Sequence, residues 1–192
     1  MKKVILVMIC LQCFLLSGCR TAMDASKAVA ERYRSPLQAV IQVSALSGIP
    51  CDYQLECCVE TETSTATIRK PESLEGIQAV IQSNTCGIRY EDLALDSMML
   101  PVRGMTPADC FDQTLYALRW EVPEKYSYEK RNGTDCLCLL FDHEDDIYDR
   151  TRIFWLEADT LDLMEGEYYL DGTLVMRMKV ETITFTESEQ DA

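Results

Sequence analysis

Ser35-Pro36-Leu37-Gln38-Ala39-Val40-Ile41-Gln42-Val43-Ser44-Ala45-Leu46-Ser47-Gly48 carries the signals of a helix at both ends. Ser35 can cap orphan amides, Pro36 suits a first helical position, and Gly48 supplies a stop. Between them Leu37, Ala39, Val40, Ile41, Val43, Ala45 and Leu46 read as the apolar face of a helix, followed by an extended segment over 49–53. The design recurs twice. Ser73-Leu74 opens Ile77-Ala79-Val80-Ile81, which stops near Gly87 and passes into Ile88-Arg89-Tyr90. Thr106-Pro107 opens Ala108-Phe111-Leu115-Leu118, which passes into Trp120-Glu121-Val122. The starts lie 38 and 33 residues apart, an internal repeat of helix and strand.

Beyond the third repeat the pattern changes to strands. Asn132-Gly133, between 126–129 and 136–141, is a strong short hairpin signal, and Asp171-Gly172 offers a second. Segments 152–156, 161–164, 167–170 and 173–185 read as strands. In the last, Leu174, Met176, Met178 and Val180 alternate with Val175, Arg177 and Lys179 as in a half-buried antiparallel strand. The predicted fold class is α+β, with tandem small helix-and-strand repeats followed by a C-terminal antiparallel β-meander. The expected segments are a signal peptide over 1–18, a tether over 19–27, the repeat region over 28–145, and the meander with an acidic tail over 146–192.

The first residues read as an export signal. Lys2 and Lys3 precede an apolar run over 4–16 that is too short to span a bilayer core, which needs roughly 20 residues. Leu16-Ser17-Gly18-Cys19 resembles the lipobox of bacterial lipoproteins. That resemblance implies cleavage before Cys19, lipid on its thiol, and a place in the cell envelope facing the periplasm. Arg20 rather than Asp at the next position favours the outer membrane over the inner.

Residues 28–142 resemble the secretin and TonB short N-terminal domain and the N-terminal repeats of secretins. Pro36-Leu37-Gln38-Ala39-Val40 through Ser47-Gly48-Ile49 matches a first helix and its exit. Ser73-Leu74-Glu75-Gly76-Ile77 through Gly87-Ile88-Arg89-Tyr90 matches a second, and 106–120 repeats the pattern. Cys110 and Gly76 depart from the alanines expected there, and no pore or barrel region follows. The resemblance implies docking of envelope proteins, a secretin or TonB-type system among them.

Without 1–18 the chain holds 16 bases against 32 acids. Such a body is repelled by nucleic acid, which removes it as a partner, and by anionic lipid surfaces. Export permits disulfides, and Cys57 or Cys58 with Cys136 or Cys138 are the candidates. Catalytic residues are not expected. His143, the one histidine, sits in an acidic stretch, so a nucleophile–base pair would have to be built around it. Asp142, Glu144, Asp145, Asp146 and Asp149 offer oxygen ligands that calcium would accept, but lack a regular calcium loop. No cofactor motif is present. The expected function is that of a non-enzymatic, membrane-anchored docking adaptor or assembly factor. The alternative is a small-ligand or ion-binding envelope lipoprotein using the acidic C-terminal region.

Overall fold

Leu37–Ala45 is a strand, β1, and its burial alternates along its length: Leu37, Ala39, Ile41 and Val43 are buried while Gln38 and Gln42 are exposed. Helical and strand spacings both fit its apolar set. Val40, Ile41 and Val43 are β-branched, which stiffens them against a helix, and partners on both sides take up the strand's backbone groups. The computed structural model describes residues 22–60, 63–82, 85–99, 102–144 and 148–186.

The elements follow as α1 (Ala22–Arg32), β1, β2 (Cys51–Val59), β3 (Thr63–Lys70), a 3-10 turn at Glu72–Leu74, β4 (Gln78–Gln82), β5 (Thr85–Tyr90) and β6 (Leu93–Met99). Then come α2 (Cys110–Trp120), β7 (Lys125–Arg131), β8 (Thr134–Glu144), β9 (Asp149–Glu157), β10 (Leu163–Leu170) and β11 (Thr173–Phe185). Among the described residues these strands form one antiparallel sheet in the order β6-β5-β4-β3-β2-β1-β11-β10-β9-β8-β7. Two meanders, β1 to β6 and β7 to β11, are joined where β1 pairs with β11 from Leu37↔Phe185 to Ala45↔Met176. Asn132 and Gly133 have φ of 53° and 88°, and Asp171 and Gly172 have 49° and 71°. These left-handed pairs close the β7–β8 and β10–β11 hairpins.

This arrangement overturns the expected fold class. Of the three predicted repeat helices only the third exists, as α2; the first is β1, and the second is the 3-10 turn followed by β4. The residues expected to form a separate C-terminal meander complete the sheet beside β1. A secretin and TonB type module is therefore not what the chain folds into. Helix α1 spans the end of the expected tether and the start of the expected repeat region, burying Ala25, Val29 and the following Tyr33 at intervals of one helical turn.

Helix α2 dictates the curvature of the sheet. Ser64 of β3 donates to Asp112 Oδ1 at 2.5 Å, while Arg152 of β9 reaches the carbonyl of the adjacent Gln113 at 3.5 Å. Strands β3 and β9 are five spacings apart, about 24 Å if the sheet were flat, and a helix is only about 10–12 Å across. The sheet must curl around α2 for both contacts to exist. Seven of its eleven residues are consequently buried: Cys110, Phe111, Gln113, Thr114, Leu115, Ala117 and Leu118. Beneath it, Thr114 Oγ1 and the Tyr168 hydroxyl meet at 2.5 Å, and the same hydroxyl donates to the carbonyl of Cys110 at 3.3 Å.

Candidate functional site

On the inner face of the sheet, Ala39, Cys57, Ala66 and Ala79 are successive partners across β1, β2, β3 and β4. Small side chains in one row leave volume above them. Near Cys57 that volume is taken by α2, whose Asp112 lies close enough to perturb the Cys57 thiol and whose Cys110 is in turn perturbed by Cys57. Over Ala66 and Ala79 the helix has not yet begun. The space there is a cavity of about 210 Å³.

Leu55, Ala66, Ile68, Ala79 and Ile88 form its floor, Leu74 and Ile77 one wall, and Thr106-Pro107-Ala108 its roof, with Tyr53 also on the lining. Only Tyr53 and Thr106 among these carry polar side-chain atoms, and no lining residue is charged. The Thr106 hydroxyl is turned away to Asp109 Oδ1 at 2.6 Å. An apolar cavity of about 150 Å³ already holds benzene, so this one has room for a hydrocarbon segment. Each methylene it removes from water contributes roughly 0.8 kcal/mol.

The roof is held from behind by Asp109, which is 1 % exposed. Its carboxylate accepts from the Gly104 amide at 2.6 Å, from the Thr106 amide at 3.1 Å and from the Thr106 hydroxyl. Burial raises the Asp109 carboxyl above the ordinary aspartate value, and the nearby Asp112 adds to the shift; the three hydrogen bonds oppose it. Gly104 has a φ of 78°, and a Cβ there would lie 2.9 Å from Gln113 Cβ. The loop therefore needs glycine at this point for both torsional and steric reasons.

The residues singled out in the sequence do not converge on this cavity. Cys19, Asp145 and Asp146 lie outside the described residues. Cys57, Cys58, Cys136 and Cys138 are free thiols. Cys57 faces the core, whereas Cys58, Cys136 and Cys138 alternate onto the outer face. Strands β2 and β8 are five spacings apart, far beyond the Cα separation of a disulfide, which corrects the expected pairing. Asp142 accepts from Thr151 Oγ1 at 2.5 Å, and the Asp149 amide donates to Asp171 Oδ1 at 3.0 Å. Backbone register pairs Glu144 with Asp149. Among the described residues no group of three or more His, Cys, Asp or Glu is placed to hold a metal ion. His143 is exposed on β8, five residues past Cys138, about 17 Å along a strand and of opposite facing. The sequence reading missed the cavity. Its one available signal was alanine at inward positions of β-branched strands, where larger residues would be expected.

No protein-family model matches the chain, and no curated protein matches it by sequence. The fold is similar to that of several solved structures. One is an uncharacterized conserved protein from Thermus thermophilus, with a TM-score of 0.50 and 12% identity, covering 86% of this chain and 88% of that one. Others similar in outline are the Mycobacterium tuberculosis lipoprotein LppX, at 0.46 and 10% over 86% and 96%, and the LolA superfamily protein NE2245 from Nitrosomonas europaea, at 0.41 and 11% over 85% and 94%. At these identities the likeness is one of fold.

Proposed function

We propose that this protein is a lipid-anchored envelope protein, attached through Cys19, that binds the hydrocarbon part of a lipid-like ligand without chemically altering it. The cavity under Thr106-Pro107-Ala108 carries the reading: it is uncharged, apolar and roofed by a loop rather than by the body of a helix. A carrier or binding role fits such a site better than catalysis, because the Thr106 hydroxyl, the lining group that meets a carboxylate, is turned out of the space toward Asp109. The export signal and lipobox support the location.

Binding of a fluorescent polyene fatty acid to the mature chain tests the ligand class. Saturable binding, weakened at least tenfold by Ala79→Leu, is the expected result. Equal binding by the wild-type chain and the variant would place the ligand elsewhere.

A second reading, an adaptor that docks protein partners, is favoured by the edge strand β6. Leu93 and Leu95 are 71% and 65% exposed there, whereas the opposite edge, β7, carries Lys125, Glu129, Lys130 and Arg131. An edge without flanking bases can accept a partner strand. Hydrogen exchange that slows across β6 on addition of an envelope extract fraction, with the cavity empty, would favour this reading over the first.

A further inference from the structure

Of helix α2 only Tyr116 and Trp120 are exposed, at 46% and 66%, and both are aromatic. They lie one turn apart on the same outer ridge, and Val122, just past the helix, is 84% exposed. A water-facing ridge on a helix otherwise sunk into its sheet would ordinarily be polar. Tyr and Trp rings fit where one side is apolar and the other wet, as at a membrane interface.

Helix α1 packs beside α2, and Arg119 Nε donates to the carbonyl of Tyr33 at 2.5 Å, so the α1 exit lies beside the α2 ridge. The outer side of α1 exposes Lys27 and Glu31 and, just beyond the helix, Arg34. Residues 20–36 carry four bases, Arg20, Lys27, Arg32 and Arg34, against two acids, Asp24 and Glu31. The rest of the chain, from residue 37 on, has 12 bases against 30 acids. A segment of net positive charge thus sits where the chain leaves its anchor. Only Arg20 and Thr21 separate Cys19 from α1, a reach of about 10 Å at most. The helix itself adds about 16 Å.

We propose that the outer face of α1 and α2 rests on an anionic phospholipid surface, with Tyr116 and Trp120 in its headgroup layer. This rests on the attachment at Cys19 proposed above. The short link brings the face to the bilayer, the basic segment is attracted to lipid phosphates, and the acidic body is turned away from them.

The test uses the acylated full chain in phosphatidylcholine vesicles containing phosphatidylglycerol, with bromine on the acyl chains as a contact quencher. Trp155, 5% exposed, is the other tryptophan, so Trp155→Phe isolates Trp120 and Trp120→Phe isolates Trp155. Trp120 emission is expected to shift to the blue and be quenched by bromine, while Trp155 does neither. Lys27→Glu with Arg34→Glu should weaken the Trp120 quenching without releasing the protein. Flotation with the vesicles together with unshifted, unquenched Trp120 would overturn the proposal, as would a blue shift that depends on protein concentration rather than on lipid. If the purified protein fails to float, attachment at Cys19 is what has failed. The same measurement on a chain held by an N-terminal histidine tag on nickel-chelating lipid then decides the surface: quenched Trp120 upholds it, unquenched Trp120 rejects it.

Discussion

The amide of Gly104 donates to Oδ2 of Asp109 at 2.6 Å, and the carboxylate that receives it is almost wholly out of water. One buried acid thereby holds the loop that roofs the cavity. Asp109→Asn keeps a single acceptor oxygen and turns an NH2 group toward the remaining donors. A buried donor left unmatched costs about 1–3 kcal/mol, the loss expected in denaturant unfolding at pH 7. The pH dependence has a definite sign. Because the folded-state carboxyl is raised above its unfolded value, the native chain holds this proton more tightly. The wild type therefore gains stability relative to Asp109→Asn as pH falls from the raised value toward the ordinary aspartate value. Unfolding curves for both proteins at neutral and mildly acidic pH check this; a gap that narrows on acidification would contradict it.

Ala79 and Leu55 line the same cavity from the same face, yet substitutions there should act in opposite ways. Ala79→Leu adds volume where space already exists, so it should fall short of the usual overpacking cost of about 1–3 kcal/mol. Leu55→Ala enlarges the void and should cost about 2–5 kcal/mol. Chemical denaturation of the two variants measures both.

All seven cysteines after Cys19 should titrate as thiols once the protein, made in its own compartment, is denatured. In the folded protein Cys57 and Cys110 should be silent to alkylation at neutral pH, because burial raises both thiols far above the ordinary cysteine value. Mass spectrometry after alkylation, with and without denaturant, counts them. A missing pair in the denatured sample would reveal a bridge.

Cutting the chain after residue 147 should abolish cooperative unfolding. The truncated chain keeps both helices and β1 to β8, but β1 loses β11 and its inner side loses Val175, Met176 and Met178. A sharp thermal transition from such a fragment would mean that the two halves carry separate cores.

How far the sequence could be read depended on whether local chemistry or distant partners decided each segment. Asn132-Gly133 and Asp171-Gly172 need left-handed torsions that few other pairs supply, so those hairpins were legible. Phe111, Leu115 and Leu118 keep helical spacing with no competing alternation, and α2 followed. Residues 37–45 were ambiguous, because an apolar run of β-branched residues and alanines satisfies both periods. Strand β11, some 130 to 150 residues away along the chain, is among the partners that resolve it. The cavity was illegible for the same reason. Ala66 and Ala79 become neighbours only through β3–β4 pairing, and their roof comes from a loop between β6 and α2.

The pairing of Leu37 with Phe185 has a bearing on when the chain can fold. The first strand and the last are central neighbours, so the loop that closes between them comprises nearly everything described. Contacts of such sequence separation are slow to form, since closure entropy is spent before any of the long-range packing is gained. A chain emerging from its N-terminus exposes one side of β1 until residues near 185 follow it out. The sheet thus stays open beside β1 until residues near 185 have been synthesised.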